Sequence, residues 1–477
     1  MTKGHLQLID HKQSVILASF AFVMLAGTLA VWAGTPSVFG IAVMTLSCTA
    51  VLLRAQGYLL SPSSTMKTHQ DSVDPVSVML WAFVLRMATG LLFALVMIAD
   101  FGYPFFGRHD DWSYEEFGNL VAAHGVSTVS YMRQPGYPIF VGFFHRVADH
   151  MGGYSFLVPR VVNAGIGALL AALIVQMAQM FGATRRRQFL LALVCIGFPD
   201  FLYYSSMTLR DIIIAYLWML GLAAMVSRRP MMARVLVLVG VVAILFPLRV
   251  YYAMLLGIVV IGSLVVNLRR YWPSRVWLSS MLVFSLGLGV VLTYQSHTVG
   301  PRDSDFWGEV QWRTTVYKEH SFASGSVGRF SGLQRLSGAV PRFLRPAVMS
   351  VLQYVWPVPF WRVFEEGRKN TFVWLRLAGS AMWLLLSVGG AVCAFRLLSS
   401  RMLPRDVILT LTAIAVPVIA SAVTFFDVRY RLPAVGPAFL LIFLGFDWRR
   451  DRVRYLSVLY VFLSLQILWE IWRYGRY

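Results

Sequence analysis

Apolar residues recur along this chain in long unbroken runs separated by short polar links. The runs fall at 14–34, 36–53, 77–99, 156–181, 188–199, 211–227, 235–248, 251–267, 277–295, 371–397, 407–425, 434–447 and 455–472. As helix, a run of roughly 20 residues matches the hydrocarbon thickness of a bilayer. The pattern predicts an all-α polytopic membrane protein of about 13 transmembrane helices, within about 11–14 because several runs are short. Lys3 and Lys12 precede the first run, which is longer than the apolar core of a cleavable signal and lacks a small-x-small cleavage pattern. It reads as a retained first span.

The links give the chain an orientation. Those near 54–75, 182–187, 228–234, 268–276, 398–405 and 448–454 all contain Arg or Lys, including Arg185-Arg186-Arg187, Arg228-Arg229, Arg269-Arg270 and Arg449-Arg450. Basic links stay in the cytoplasm, which places the N-terminus there as well. The opposite side then receives two long hydrophilic stretches, 100–155 and 296–370, with short turns near 200–210, 249–251 and 426–433. In a bacterium this describes an inner-membrane protein whose long loops face the periplasm. No fixed-period repeat or low-complexity linker interrupts it, so one transmembrane domain is expected over 1–477.

Composition agrees. Apolar residues make up 58% of the chain and charged residues 13%, against about 25% charged in a soluble domain. With a mean hydropathy of +0.65, a soluble enzyme, a disordered chain and a secreted disulfide scaffold are excluded. The net charge of +20, from 42 basic and 22 acidic residues, lies largely in the cytoplasmic links and orients the chain rather than binding nucleic acid. Cys48, Cys195 and Cys393 sit singly inside apolar runs and form no ligand-like pair.

Candidate chemistry concentrates on the outer face. The first outer loop carries His109-Asp110-Asp111-Trp112-Ser113-Tyr114, and Trp112, Tyr114, Phe117, Leu120 and Val121 recur at helical spacing. A short amphipathic interfacial helix is expected there, with Asp110 and Asp111 at its N-terminal end. An Asp at that position caps orphan backbone N–H groups, so capping and chemistry both fit a single carboxylate. A pair leaves one of them available. Downstream, Arg133-Gln-Pro135-Gly136-Tyr137-Pro138 forces a tight turn before an apolar run returns to the interface. Histidines 109, 124 and 145 share the loop at a spacing that matches no closed zinc template, and read as ordinary loop residues. Arg86 lies deep in the third run and should face the bundle or a cavity.

An Asp in the first outer loop, a Tyr four residues on, and then R-x-P-G-Y-P together resemble the GT-C superfamily of integral-membrane glycosyltransferases. Leu209-Arg210-Asp211 resembles an element found in many bacterial members, and Arg429-Tyr430-Arg431-Leu432-Pro433 is similar to their late R-Y-R-x-P pattern. The resemblance runs from Asp110 to Pro433. Two spans precede the one that leads into the loop, and the pair reads H-D-D-W where G-D-x-x is more usual. The resemblance implies inverting transfer of a sugar from a polyprenyl-phosphate carrier to a hydroxyl of a periplasmic glycan, lipid or protein. It assigns catalysis to Asp110, with Asp111 as helper or as the alternative base.

For that reaction, negative charge builds on the departing phosphate. Arg210, Arg249, Arg429 and Arg431, at outer helix ends, are the candidate phosphate binders. Tyr114, Arg133, Tyr137, Asp211 and Tyr251 are candidate substrate contacts. Two adjacent carboxylates either raise one pKa or invite a divalent cation such as Mg, Mn or Zn, and both alternatives stay open. The second outer loop, 296–370, mixes basic and aromatic residues and is expected to lie on anionic lipid or to act as a lid. Two other classes fit many spans with a polar outer face. An O-antigen polymerase or ligase would not require the Asp pair, and a lipid-sugar flippase would bind without turnover.

Overall fold

The computed structural model describes residues 11–60, 72–105, 110–130, 132, 134–268, 371–398, 410–411, 413–415, 417 and 431–474. Among these, all regular structure is helical. The chain divides into two compact units, Met1–Val237 and Leu238–Tyr477.

The first unit contains α1 (His11–Ala33), α2 (Ser37–Leu60), α3 (Pro75–Phe101), α4 (Asp110–His124), a 3-10 turn (Val126–Val129), α5 (Gly136–His150), α6 (Leu157–Met180), α7 (Arg185–Gly197), α8 (Pro199–Ser205) and α9 (Asp211–Val226). Helix α6 is its axis, packed against α2, α3, α7 and α9 and buried over nearly its whole length. Its sequence explains this, because small residues line its flanks and let neighbouring backbones approach. A Cβ on Gly165 would come within 2.4 Å of Thr45 Cγ2, and one on Gly167 within 2.8 Å of Arg86 Nε.

Helix α3 begins where Asp74 accepts the Ser77 N–H at 2.6 Å and Pro75 fills the first turn. It ends on Gly102 in the left-handed conformation, φ 75°, whose N–H bonds Ile98 O. Arg86, expected to face the bundle, is fully buried and donates to Ala82 O and Cys195 O, each at 3.0 Å. Pro199 has no N–H to give the Cys195 carbonyl four residues back, so α7 breaks there and bends by 45° into α8. The guanidinium replaces the missing donor. The expected outer turn over 200–210 therefore starts as helix, and α7 with α8 is long and apolar enough for one bent crossing.

The second unit contains α10, which begins in the first (Met231–Leu248), then α11 (Val250–Leu268), α12 (Thr371–Leu398), α13 (Leu432–Gly445) and α14 (Trp448–Tyr474). Helix α12 packs on α13 and α14. Arg396 pairs with the buried Asp451 at 2.5 Å and also donates to Gly445 O, tying the three helices together. The basic link expected at 448–454 is the first two turns of α14, because Asp451 bonds the Asp447 N–H and starts the helix.

Four helices among the described residues, α2, α3, α6 and α10, are long and apolar enough to cross a membrane, with the α7 and α8 pair as a fifth. Shorter apolar helices lie within α1, α9, α12 and α13. The chain is a helical protein with membrane-capable helices. The expected runs 277–295 and most of 407–425, and the second loop over 296–370, lie outside the described residues.

Candidate functional site

Helices α4 and α5 pack on each other through two glycines. A Cβ on Gly118 would come within 2.4 Å of Val141 Cγ1, and one on Gly142 within 2.7 Å of the Val121 side chain. This close approach brings the buried faces of both helices within hydrogen-bonding reach. Helix α4 starts at Asp110 as the periodicity predicts, with both carboxylates in its first turn. They differ in environment: Asp110 is exposed and Asp111 is buried.

Behind Asp111 lies a set of polar groups. Glu115, one turn further along α4, is 4% exposed. Its Oε1 is 3.3 Å from His145 Nε2, and His145 Nδ1 is 2.6 Å from Asn119 Oδ1. A carboxamide oxygen only accepts, so Nδ1 is the donor in the contact with Asn119, and Nε2 is left facing the Glu115 carboxyl. Tyr154 lies against the imidazole, with ring centroids 4.1 Å apart. From α6, Arg160 donates to Pro104 O and lies over the rings of Phe105 and Phe156 at 5.5 and 5.3 Å. Asp111, Glu115 and Tyr137 all act electrostatically on its guanidinium.

Burial raises the Glu115 carboxyl above the usual carboxylate range, and the Asp111 charge adds to that, while His145 and Arg160 pull the other way. The Tyr137 phenol is pushed well above its ordinary value, chiefly by burial, against the opposing hydrogen bond from Asn163 and with smaller electrostatic additions from Glu115, Tyr114 and Asp211. It stays neutral and accepts the Asn163 amide at 2.8 Å.

The structure brings together residues from three motif segments. Tyr114 meets Tyr137 edge-on at 4.8 Å, and Arg210 lies over the Tyr114 ring at 5.5 Å. Arg210 precedes α9 and Asp211 is buried in its first turn, close enough to act on Tyr137. In the second unit, Arg249 sits at the break between α10 and α11, nearly buried, with Tyr252 beneath its guanidinium at 5.9 Å and Tyr251 next in sequence. Arg431 precedes α13, fully buried over Trp383 at 5.5 Å. Arg133, Arg429 and His109 lie outside the described residues.

The residues missed from sequence are Glu115, Asn119, Arg160 and Asn163, together with His145, expected as an ordinary loop residue and found 1% exposed. The overlooked signal was Arg160 and Asn163, polar residues inside a membrane-capable run, to which the reasoning applied to Arg86 extends directly. Among the described residues no three His, Cys, Asp or Glu side chains converge to hold a metal ion. The positive charge beside Asp111 and Glu115 is supplied by Arg160.

The site therefore holds carboxylates beside a guanidinium, a carboxyl facing an imidazole, and an arginine presented on an aromatic face. No family model, curated protein or solved structure matches this chain.

Proposed function

We propose that the chain is an inverting glycosyltransferase of the GT-C kind, with about 13 transmembrane helices in a bacterial inner membrane and its site open to the periplasm. It moves a sugar from a polyprenyl-phosphate carrier to the hydroxyl of a periplasmic glycan, lipid or protein acceptor. The observation that carries this is the meeting of Tyr114, Tyr137 and Arg210, one from each of three motif segments, with Asp111 buried on the same helix as Tyr114.

In this scheme a carboxylate of the Asp pair takes the proton of the acceptor hydroxyl as the new glycosidic bond forms. Asp111, buried and facing the Arg160 charge, is the better placed base. Asp110, exposed at the mouth, is its helper. The bond from the sugar to the phosphate oxygen breaks on the opposite face, and the phosphate leaves with that electron pair. Arg210 receives its charge, and Arg249, Arg429 and Arg431 carry over from the sequence pattern as candidate phosphate binders. Arg133, Asp211 and Tyr251 keep their role as substrate contacts.

The test is transfer in membranes supplied with polyprenyl-phosphate sugars. Asp111→Asn is expected to lower the rate by about 10²–10⁴, the usual contribution of a positioned base. Asp110→Asn should lower it less. Native transfer by both variants would remove the proposed base, and sugar-lipid binding without turnover would favour a transporter.

A further inference from the structure

A cleft of about 360 Å³ opens where α4 faces the link after α3 and the start of α6. Trp112, Glu115, Glu116 and Asn119 occupy one face of α4, at the i, i+3, i+4 and i+7 positions that a helix brings into line. Phe105 and Phe156 stand on the other side, in edge contact at 6.2 Å.

We propose that this cleft is a carbohydrate subsite that takes one neutral sugar ring, resting on the glycosyl-transfer reading for its place in a reaction but not for its chemistry. The volume lies at the small end of ligand pockets, which start at about 300 Å³. Aromatic walls with a few convergent polar groups suit the apolar C–H faces of a sugar ring. Those polar groups select what enters. Glu115 and Glu116 repel a phosphate or carboxylate ligand. A prenyl chain would seal the Glu115 carboxyl against hydrocarbon, which is costly.

A ligand hydroxyl answers both objections. Glu115 lines the cleft, and its buried Oε2 has no hydrogen-bond partner among the described residues. A buried acceptor in that state costs free energy until a donor arrives, and a sugar hydroxyl is such a donor. Asn119 spends its Oδ1 on His145, which leaves its amide N–H groups for a second ring oxygen. His145 acts as a positioning residue: its Nε2 lies 3.3 Å from Glu115 Oε1 and holds that carboxyl in place.

The test uses the full chain in lipid nanodiscs and saturation-transfer NMR. The probes are a panel of free neutral hexoses and pentoses, and separately a polyprenyl phosphate that carries no sugar. Ring protons of at least one sugar should be saturated by the native protein. Glu115→Gln, which keeps the shape and removes the charge, should weaken binding about 10-fold, the value of one hydrogen bond to a charged group. Trp112→Leu should abolish the signal and Trp112→Phe should retain it, with a cooperative melt establishing that each variant is folded.

Saturation confined to the prenyl chain, no saturation by folded native protein, or ring signals unchanged in both Glu115→Gln and Trp112→Leu would each overturn the subsite. The two readings separate cleanly. Transfer in membranes without ring saturation removes the subsite alone, whereas ring saturation without transfer removes the glycosyl-transfer reading alone.

Discussion

Asn163 of α6 donates its side-chain amide to the Tyr137 phenol of α5 at 2.8 Å, a contact buried completely inside the first unit. The same nitrogen reaches the backbone carbonyls of Met207 at 2.7 Å and Leu209 at 2.9 Å, in the turn that delivers Arg210. One side chain thus joins the first-loop helix pair, the central helix and the segment before α9. Replacing it with Leu removes both of the N–H donors that these three oxygens share. We expect Asn163→Leu to cost about 3 kcal/mol of stability and Tyr137→Phe only about 1 kcal/mol, because Asn163 then keeps its two carbonyls. Chemical unfolding in micelles checks the order. Equal losses would mean that Asn163 serves Tyr137 alone.

The α4 and α5 crossing has no room for added carbon. Gly118→Ala places a methyl group 2.4 Å from Val141 Cγ1, well inside van der Waals contact. Overpacking of this kind costs about 1–3 kcal/mol. Adding Val141→Ala removes the clashing methyl, so the double variant should recover part of the loss and yield a coupling energy of about 1 kcal/mol. Simple additivity in the cycle would show that the helices do not meet at this point.

Glu115 sets a pH dependence whose sign follows from its burial. Its carboxyl is raised in the folded chain, so the folded state binds a proton more readily than the unfolded one. Its contribution is fully present below the ordinary glutamate value and is lost as pH rises through the elevated folded value. Asp111 on α4, His145 on α5 and Arg160 on α6 face this group and shape the window. Melting temperature measured across that window should fall with rising pH in the native chain and flatten in Glu115→Gln. An unchanged slope in the variant would assign the dependence elsewhere.

Much of the helical layout was legible because a bilayer-length apolar run carries its own length signal. Runs read at 36–53, 77–99 and 156–181 correspond to Ser37–Leu60, Pro75–Phe101 and Leu157–Met180. The start of α4 at Asp110 followed from the spacing of Trp112, Tyr114, Phe117 and Leu120. The floor of the site was not legible. Glu115, His145 and Arg160 lie on three different helices, and only the glycine crossing and the packing of α6 bring them together. Read singly, Glu115 is a charge on an interfacial helix and His145 a loop histidine. That Asp111 is buried and Asp110 exposed was likewise not legible, since adjacent residues on a helix face different directions. Hydropathy likewise marked the run ending at Pro199 but not its bend, because a break depends on which carbonyl loses its donor.

That break gives a final test. The Cys195 carbonyl has no N–H from Pro199 and takes one from Arg86 instead, at 3.0 Å. Arg86→Met fills similar space but leaves this buried carbonyl without a donor, at a cost of about 1–3 kcal/mol. Pro199→Ala restores a backbone N–H at the position that an unbroken helix would use. If the arginine serves as a substitute donor, the two changes must be coupled: Pro199→Ala should be less harmful, or even favourable, when Arg86 is already Met. A double-mutant cycle in micelles measures this directly, and a coupling energy of about 1 kcal/mol in the compensating direction is expected. Coupling near zero would mean that Arg86 is retained for another purpose and that the bend at Pro199 is fixed by packing alone.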